Sequence, residues 1–332
     1  MSGKYIFAAT AGMIASFSVS AASAATVFDY NLFVLGDFNG YNSDVEGRVA
    51  VKGNATVNGY AVGQKASAGD NLVVGGNLTV GTSGGSTSGK VVVGGTVTTP
   101  SWGGYSSGGI SSGVTTLPVD FAAEITRLTW LTSELKTYST NGTIEQKWGQ
   151  MFFTGTDPVL NVFNVTAAQM ASSNTFHINV ASGSQVLFNV SGASASMQNA
   201  GFDLQGVDSS KILYNFYEAT ALSFSSIGVL GSVLATNAAY NGSWGNVNGQ
   251  MIVSSFNAPT QINSSPYSGT LLSLSQPVAL PADPVSGGND NAGTPPIGPV
   301  PEISTWAQMI LGFGALGWIL RRSRKPARRG LI

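Results

Sequence analysis

Few side chains in this 332-residue chain suit catalysis. It has no cysteine, which rules out disulfides, thiolate metal ligands and a thiol nucleophile. Its one histidine, His177, lies in an alternating segment in which Phe176 and Ile178 share one strand face. His177 and Asn179 therefore take the opposite face, and we interpret His177 as a surface or corner residue. Because no nucleophile-elbow sequence accompanies it, a Ser-His-Asp triad has no support. We predict no catalytic residues.

The densest acidic group is Asp37, Asp44 and Glu46. Carboxylate oxygens suit Ca²⁺, but the spacing is not that of an EF-hand loop. The alternative is a solvated loop in which Arg48 pairs with Asp44 or Glu46. We expect no cofactor, and Ca²⁺ at these three carboxylates is the one alternative left open.

Residues 101–113 form a Gly/Ser-rich loop that carries Trp102 and Tyr105. Aromatic rings on such a loop can stack on a sugar, which makes both residues candidate ligand contacts. They can also fold back onto the body of the domain, and the sequence leaves both alternatives open.

The elements that would carry these residues show a short internal repeat. Segment 49–57 (VAVKGNATV) is echoed by 72–80 (LVVGGNLTV) and 91–98 (VVVGGTVT), each with a Gly corner between two short strands. One such unit cannot bury its apolar face alone, whereas stacked copies can. The pattern predicts a mainly β fold, a right-handed β-solenoid. A sandwich of hairpins is the alternative.

One long α-helix is predicted at about residues 118–139. Its apolar stripe consists of Phe121, Ile125, Leu128, Leu131, Leu135 and Tyr138. Because the stripe covers one face only, this helix should flank the solenoid and cover its core. Strand patterns return from 151 to 275, and residues 276–299, rich in Pro and Gly, are predicted to be a linker.

Both ends of the chain carry export features. Residues 1–25 have the pattern of a secretory signal peptide, with small residues at Ala22 and Ala24 before the expected cleavage site. Residues 303–320 form an uncharged span of 18 residues, followed by a basic cluster. The span is near the lower limit for a transmembrane helix, and the basic cluster predicts a cytoplasmic end with the bulk of the chain outside. The alternative for residues 1–25 is a first strand or helix of the core. The alternative for residues 303–320 is a buried C-terminal helix.

The string VPEISTWAQMILGFGALGWILRRSRK resembles a PEP-CTERM sorting signal of the variety with Trp-Ala after Pro-Glu. The matching residues are Pro301, Glu302, Trp306, Ala307, Gly312, Gly317, Arg321 and Arg322. Ile303 stands where many such signals have Pro. The resemblance covers 300–329 and implies export by the Sec machinery and processing by an exosortase in a Gram-negative bacterium that makes exopolysaccharide. The span would then anchor the chain to the inner membrane at least transiently.

Residues 27–275 resemble the choice-of-anchor A domain. The resemblance is carried by FVLGDFNGYNSDVEGRVAVKGNATV near the start and ILYNFYEATALSFSSIGVLGSVLATNAAYNGSWGNVNGQMIV near the end. It implies an exported adhesive or surface-binding domain without established catalytic residues. The second string also resembles the last coils of ice-binding-type β-solenoids, which bears on the fold and not on ice binding.

These observations favour a non-enzymatic, adhesin-like protein, with residues 26–275 as its surface domain and exopolysaccharide or matrix as its partner. Between residues 26 and 300 there are 15 acidic and 8 basic residues, a net charge of −7, which argues against nucleic acid. Two rivals remain. A polysaccharide-active solenoid enzyme would need charged residues converging on one face. An ice-binding protein would need an array of threonines in register. Thr56, Thr79 and Thr98 hint at such an array.

Overall fold

A computed structural model describes residues 25–101 and 103–275 of the chain. The linker 276–299, the sorting signal 300–329, Trp102 and all but the last residue of the expected signal peptide lie outside the described residues. The chain separates into two compact units, Met1–Pro277 and Val278–Ile332, and the described residues all belong to the first. No helix among the described residues is long and apolar enough to span a bilayer.

The described residues contain 22 β-strands and two α-helices, α1 (Phe121–Leu135) and α2 (Ala167–Ala171). The strands before α1 are β1 (Leu32–Val34), β2 (Phe38–Val45), β3 (Val49–Val51), β4 (Ala55–Val62), β5 (Asp70–Val74), β6 (Leu78–Val80), β7 (Lys90–Val93), β8 (Val97–Thr98) and β9 (Ile110–Ser111). Three strands lie between α1 and β13, namely β10 (Thr143–Lys147), β11 (Gln150–Thr154) and β12 (Leu160–Thr166). The remaining strands are β13 (Thr175–Asn179), β14 (Gln185–Ser191), β15 (Ser194–Gln198), β16 (Gly201–Gln205), β17 (Ile212–Asn215), β18 (Ala221–Leu230), β19 (Ser232–Tyr240), β20 (Ser243–Asn248), β21 (Met251–Ala258) and β22 (Gln261–Asn263).

The larger sheet has 18 strands, and its pairings are all parallel in the described part of the chain. Hairpins would give antiparallel pairs, so the hairpin sandwich is excluded and the mainly β expectation is confirmed. Most strands pair with the strand two or three places on, because the chain passes over other faces before it returns. One column of strands, which we call the helix face, runs β12, β14, β17, β19, β21, β1, β3, β5, β7, β9.

The internal repeats stack directly on one another. Val49 pairs with Leu72 and Leu72 with Val91, so the buried residues of successive repeats lie in one row. At the corner, the Gly76 N–H donates to the Gly53 carbonyl at 2.8 Å. A Cβ on Gly76 would lie 2.8 Å from that oxygen, so the repeat needs glycine there for close backbone approach.

The N-terminal strand enters the middle of the domain rather than one end. Leu32 of β1 pairs with Val49 on one side and with Met251 on the other. The early repeats extend outward from this junction, and the strands after α1 approach it from the opposite end. Residues more than 200 positions apart therefore form one continuous core.

Helix α1 covers the helix face, as its one-sided stripe predicts. Leu128, Leu131 and Leu135 are buried against the outward side chains of that sheet, such as Phe33 and Val73. The helix is shorter than the predicted 118–139. Asp120 lies before it as the N-cap, accepting from the Ala123 N–H at 3.0 Å, and Pro118 lies outside.

Three asparagines of the sheet hold the end of α1. Asn164, Asn189 and Asn215 stand on neighbouring strands. The amides of Asn189 and Asn215 each donate to the side-chain oxygen of the preceding asparagine and to a carbonyl of α1. The Asn164 amide donates to a carbonyl just beyond the end of α1. The Asn189 amide donates to the Leu135 carbonyl at 2.8 Å, and the Asn164 amide donates to the Tyr138 carbonyl at 3.1 Å. Leu135 is the last residue of α1 and Tyr138 lies just beyond it, so these bonds tie the end of the helix to the sheet.

A second sheet of four strands, β10, β11, β13 and β16, was not foreseen as a separate element. Strands β10 and β11 form an antiparallel hairpin, and the other two pairings are parallel. Its inner side chains, Met151, Phe153, Phe176 and Ile178, are buried in the main core. Helix α2 was also missed, although Thr166 and Gln169 form a capping box at its start.

Candidate functional site

A column of hydroxyl and carboxamide side chains runs across a second face of the domain. We call it the polar ladder, and it consists of Ser196, Ser223, Asn241, Asn257, Asn39, Thr56, Thr79 and Thr98. All eight are exposed or half-buried, because each alternates along its strand with a side chain that points into the core. The ladder therefore presents a periodic, uncharged row of hydrogen-bonding groups to solvent.

The backbone fixes the spacing of the ladder. Thr56 pairs with Thr79 and Thr79 with Thr98, so the three hydroxyls stand in direct register. Parallel strands lie about 4.8 Å apart, which gives the eight residues a total length of about 33 Å. In the middle of the row the Asn39 amide donates to the Asn257 carboxamide oxygen at 2.8 Å, and this bond holds both side chains in the row.

A second row borders the ladder at the Gly corners. The Asp37 carboxylate accepts from the Asn54 N–H at 2.7 Å, and the Asn54 side chain accepts from the Asn77 N–H at 3.0 Å. The Asn77 side chain continues the series with the Thr96 N–H at 2.8 Å. Each side chain thus caps the backbone of the next repeat, which keeps the ladder face regular.

The three acidic residues proposed for Ca²⁺ do not form one group. Asp37 caps a corner before β2, whereas Asp44 and Glu46 lie at the other end of that strand. Within the residues that the structure describes, no group of three or more His, Asp or Glu side chains is placed to hold a metal ion. Oxygen ligands for Ca²⁺ would need to converge, and these do not.

Glu46 is paired, but not with Arg48 as the sequence suggested. Its carboxylate lies 2.7 Å from the Lys65 ammonium and accepts from the Ser264 N–H at 2.8 Å. Burial alone would raise the pKa of Glu46, but these two donors outweigh it and hold that pKa below its usual value. Burial and the charge of Glu46 raise the pKa of Asp44. Arg48 instead donates to the Asn71 side chain at 3.1 Å, because the pairing of Val49 with Leu72 brings the preceding residues, Arg48 and Asn71, side by side.

Of the two aromatic candidates, Tyr105 folds back into the domain. It is only 2 % exposed and belongs to the main core, so its ring is not placed to contact a ligand. Burial raises the pKa of its hydroxyl to about 12. Trp102 lies outside the described residues.

His177 lies on the outer side of the four-stranded sheet, as its alternating pattern predicts. Its ring stacks on Phe152 with centroids 4.5 Å apart. Its Nδ1 lies 3.0 Å from the Asp203 carboxylate, and its Nε2 lies 3.1 Å from the Gln150 side-chain oxygen. The side chain is 29 % exposed, so it is a partly accessible member of a polar row.

One cleft in the described residues is small. It has a volume of about 150 Å³ and lies between Tyr30, Arg48 and Gln250. Sites for drug-sized ligands usually measure roughly 300–1,000 Å³. A second, shallow groove lies on the polar ladder and is lined by Asn39, Thr56 and Asn257.

The ladder was only partly visible in the sequence. Its three threonines share one position of the repeat, and that signal was available. The serines and asparagines come from strands outside the repeat, and nothing local shows that Asn39 lies beside Asn257, 218 positions away. The predicted signal-peptide and sorting residues Ala22, Ala24, Pro301, Glu302, Trp306, Ala307, Arg321 and Arg322 lie outside the described residues.

Comparison with known families identifies the class of protein that this fold and surface define. Residues 23–264 match the model of a family described as "Putative Ice-binding-like adhesive domain". Since the match covers most of the chain, the protein belongs to this family of ice-binding-like adhesive domains. No curated protein matches the chain. Family membership is compatible with an adhesin-like role at a surface or outside the cell.

Proposed function

We propose that this chain is an exported, non-enzymatic adhesive protein that binds matrix at the cell surface through its polar ladder. The observation that supports this most directly is the row of eight uncharged polar side chains, held in register over about 33 Å. Family membership supports the same role, because the family model is described as an ice-binding-like adhesive domain.

The chemistry of the ladder suits a long, hydrated polymer. Hydroxyl and carboxamide groups both donate and accept hydrogen bonds, so a hydroxyl-rich chain can contact several of them at once. Each bond contributes little alone, and many bonds along one polymer add avidity. Because the ladder residues carry no charge, binding should depend only weakly on salt. Exopolysaccharide is the partner that fits best.

For the fold we propose a right-handed β-solenoid. The strands that carry Val49, Leu72 and Val91 pair in parallel, and the chain returns to the same column after passing over the other faces. Connections between parallel strands are right-handed in nearly all known cases, which supports this handedness.

For targeting we propose that residues 1–25 direct export and that 300–329 are a PEP-CTERM signal processed by an exosortase. The support is the Pro301-Glu302 motif, the uncharged span 303–320 and the basic end. The mature domain would leave the inner membrane for the outer surface of a Gram-negative cell. Fractionation and protease accessibility of intact cells test this. Glu302→Ala should retain the chain in the inner membrane, and a chain found wholly in the cytoplasm would contradict it.

Adhesion itself is tested by sedimentation of the purified protein with polysaccharide extracted from the source organism, with and without EDTA. We expect saturable co-sedimentation at both low and high salt. An effect of EDTA would support the Ca²⁺ alternative. Protein that stays in the supernatant under all conditions would refute the adhesive role. Release of reducing ends in the same samples would favour the polysaccharide-active enzyme instead.

Ice binding is the second candidate, because Thr56, Thr79 and Thr98 stand in direct register. A regular threonine row can order water or match a crystal surface. Here the row passes into asparagine at Asn39 and then into serine, so the threonine array is short. Thermal hysteresis or reshaping of ice crystals would support this function, and their absence would leave adhesion alone.

A further inference from the structure

An unusual backbone conformation, a positive φ at residues other than glycine, recurs along one edge of the domain. Five residues other than glycine have a positive φ among those that the structure describes, and they are Asn42, Trp148, Asn199, Ser226 and Trp244. Asn42, Asn199, Ser226 and Trp244 each lie three residues after a ladder residue, and strand register places Trp148 in line with them. We call the part of this corner from Trp148 to Trp244 the tryptophan edge.

The two tryptophans on this edge are exposed, and both have a backbone conformation that favours other residue types. Trp148 is 81 % exposed with φ 54°, and Trp244 is 78 % exposed with φ 45°. A positive φ is strained for a bulky side chain. Trp148 and Gly149 form the two-residue turn between Lys147 and Gln150, where Asn-Gly is the favoured pair. Neither ring offsets this strain by packing into the core, and such outliers concentrate at functional sites.

Register also gives the separation of the two rings along the edge. Gln150 pairs with Thr175 and Thr175 with Gly201, which aligns Trp148 with Asn199 two strands away. Gln198 pairs with Ser225 and Ser225 with Ser243, which aligns Asn199 with Ser226 and then with Trp244. Four strand spacings of about 4.8 Å therefore separate the tryptophans, a distance of about 19 Å.

Polar groups surround both rings. Asn199 and Ser226 lie exposed between them. The Lys147 ammonium lies 5.0 Å from the Trp148 ring centroid and 2.9 Å from the Glu145 carboxylate. A protein partner would be expected to cover a contiguous apolar patch with charges at its rim, and two isolated rings among polar groups do not form one.

A second polar row begins beside Trp148 on the four-stranded sheet. Glu145, Phe152, His177 and Asp203 stand opposite one another on successive strands. The Lys147 ammonium lies 4.8 Å from the Phe152 centroid, so it bridges this row and the tryptophan ring. Planar aromatic surface flanked by carboxylate, imidazole and ammonium groups matches a ligand with apolar C–H faces and hydroxyl edges.

We propose that the tryptophan edge is a carbohydrate-binding site that seats an extended glycan chain, with one sugar ring stacked on Trp148 and another on Trp244. Asn199 and Ser226 hydrogen-bond hydroxyls of the sugars between the two rings, and Lys147 holds a polar substituent at one end. The inference rests on the proposed adhesive role, for which it adds a ligand class and a surface distinct from the polar ladder.

The test is calorimetric titration of the full chain in detergent with hexasaccharides and disaccharides, prepared by partial hydrolysis of polysaccharide from the source organism. A hexasaccharide reaches both rings, whereas a disaccharide reaches one. Trp148→Asn and Trp244→Asn each remove a ring while supplying a residue that accepts the positive φ, so both variants should stay folded with melting temperatures no lower than the wild type. Each should weaken hexasaccharide binding by about tenfold or more. Trp148→Phe, which keeps a ring, should bind within about threefold of the wild type.

Thr129→Lys, on the exposed side of α1, changes neither the tryptophan edge nor the polar ladder, so we expect this control to bind hexasaccharide as the wild type does. Polysaccharide sedimentation of Thr79→Lys, a ladder variant, separates this inference from the proposed function. Unchanged hexasaccharide binding in both Trp→Asn variants would overturn the tryptophan edge and leave ladder adhesion standing. A wild type that does not distinguish hexasaccharide from disaccharide would also overturn it. The Trp variants could instead lose hexasaccharide binding while Thr79→Lys still sediments with polysaccharide as the wild type does. That result would refute binding by the polar ladder and retain the tryptophan edge as the binding site.

Discussion

The substitution Asn215→Ala should destabilise the domain strongly, because it breaks the row that fastens α1 to the sheet. Asn215 is fully buried, and its amide donates to the Thr132 carbonyl at 3.1 Å and to the Asn189 side-chain oxygen at 3.0 Å. Its own oxygen accepts from the Thr132 hydroxyl. Alanine removes all three bonds and leaves polar groups of Thr132 and Asn189 without these partners in a buried site.

The expected loss in the free energy of unfolding is about 3 kcal/mol. Each hydrogen bond contributes about 1 kcal/mol net, and buried polar groups left unsatisfied cost roughly 1–3 kcal/mol each, partly relieved by relaxation. Asn39→Ala is the matched control. It breaks an amide–amide bond of the same kind at 2.8 Å to Asn257, but both residues are exposed and water replaces the partner. Its cost should stay below about 0.5 kcal/mol.

Urea unfolding followed by far-ultraviolet circular dichroism measures both values. If the slope m is unchanged, the shift in the midpoint reports stability alone. Equal losses for Asn215→Ala and Asn39→Ala would refute the reasoning, because burial would then not decide the cost.

Two further predictions concern charge and close packing. The pKa of Glu46 is lowered in the folded state, so the stability this carboxylate contributes is present above its unfolded pKa and is lost as pH falls through the folded pKa. Urea midpoints of the wild type should therefore drop between about pH 5 and 3, and less so in Glu46→Gln, which cannot ionise; identical profiles would contradict this. Gly76→Ala should cost about 1–3 kcal/mol, because the new Cβ would lie 2.8 Å from the Gly53 carbonyl oxygen. Gly201→Ala, where a Cβ meets nothing within 4 Å, should be neutral or stabilise by up to about 1 kcal/mol. Thermal unfolding of the two glycine variants compares them, and equal melting temperatures would count against the close-approach argument.

Local sequence patterns predicted much of the fold. The repeats predicted stacked strands, and Val49, Leu72 and Val91 do lie in one buried row. The apolar stripe of α1 predicted the face that it buries. These features follow from periodicity, which a sequence shows directly. The end of α1 was misplaced because asparagines from distant strands, such as Asn189, bond its carbonyls.

The sequence does not show which distant strands pair with one another. β1 pairs with β21 across more than 200 residues, and no local signal selects that partner. The same limit hid most of the ladder, since Asn39 and Asn257 look like ordinary polar strand residues until the fold aligns them. Arg48 was assigned to nearby acidic residues, whereas the pairing of β3 with β5 places Asn71 beside it.

The exposed tryptophans were missed for a different reason. Trp148 and Trp244 occur in strand-rich segments where an aromatic residue ordinarily predicts burial. Only the backbone shows that both stand at corners with positive φ and point into solvent. A Trp-Gly pair at a two-residue turn was the available clue, since Asn-Gly is the usual choice.

The most direct test of the adhesive ladder is adhesion of whole cells to surfaces coated with the organism's own polysaccharide. Cells carrying Thr79→Lys are compared with cells carrying Thr129→Lys, which adds the same charge on the exposed side of α1. Surface amounts of both variants should match the wild type. We predict that Thr79→Lys reduces adhesion by about tenfold, because a long cation interrupts the neutral row, while Thr129→Lys adheres normally. Equal adhesion by the two variants would contradict the assignment of binding to the polar ladder.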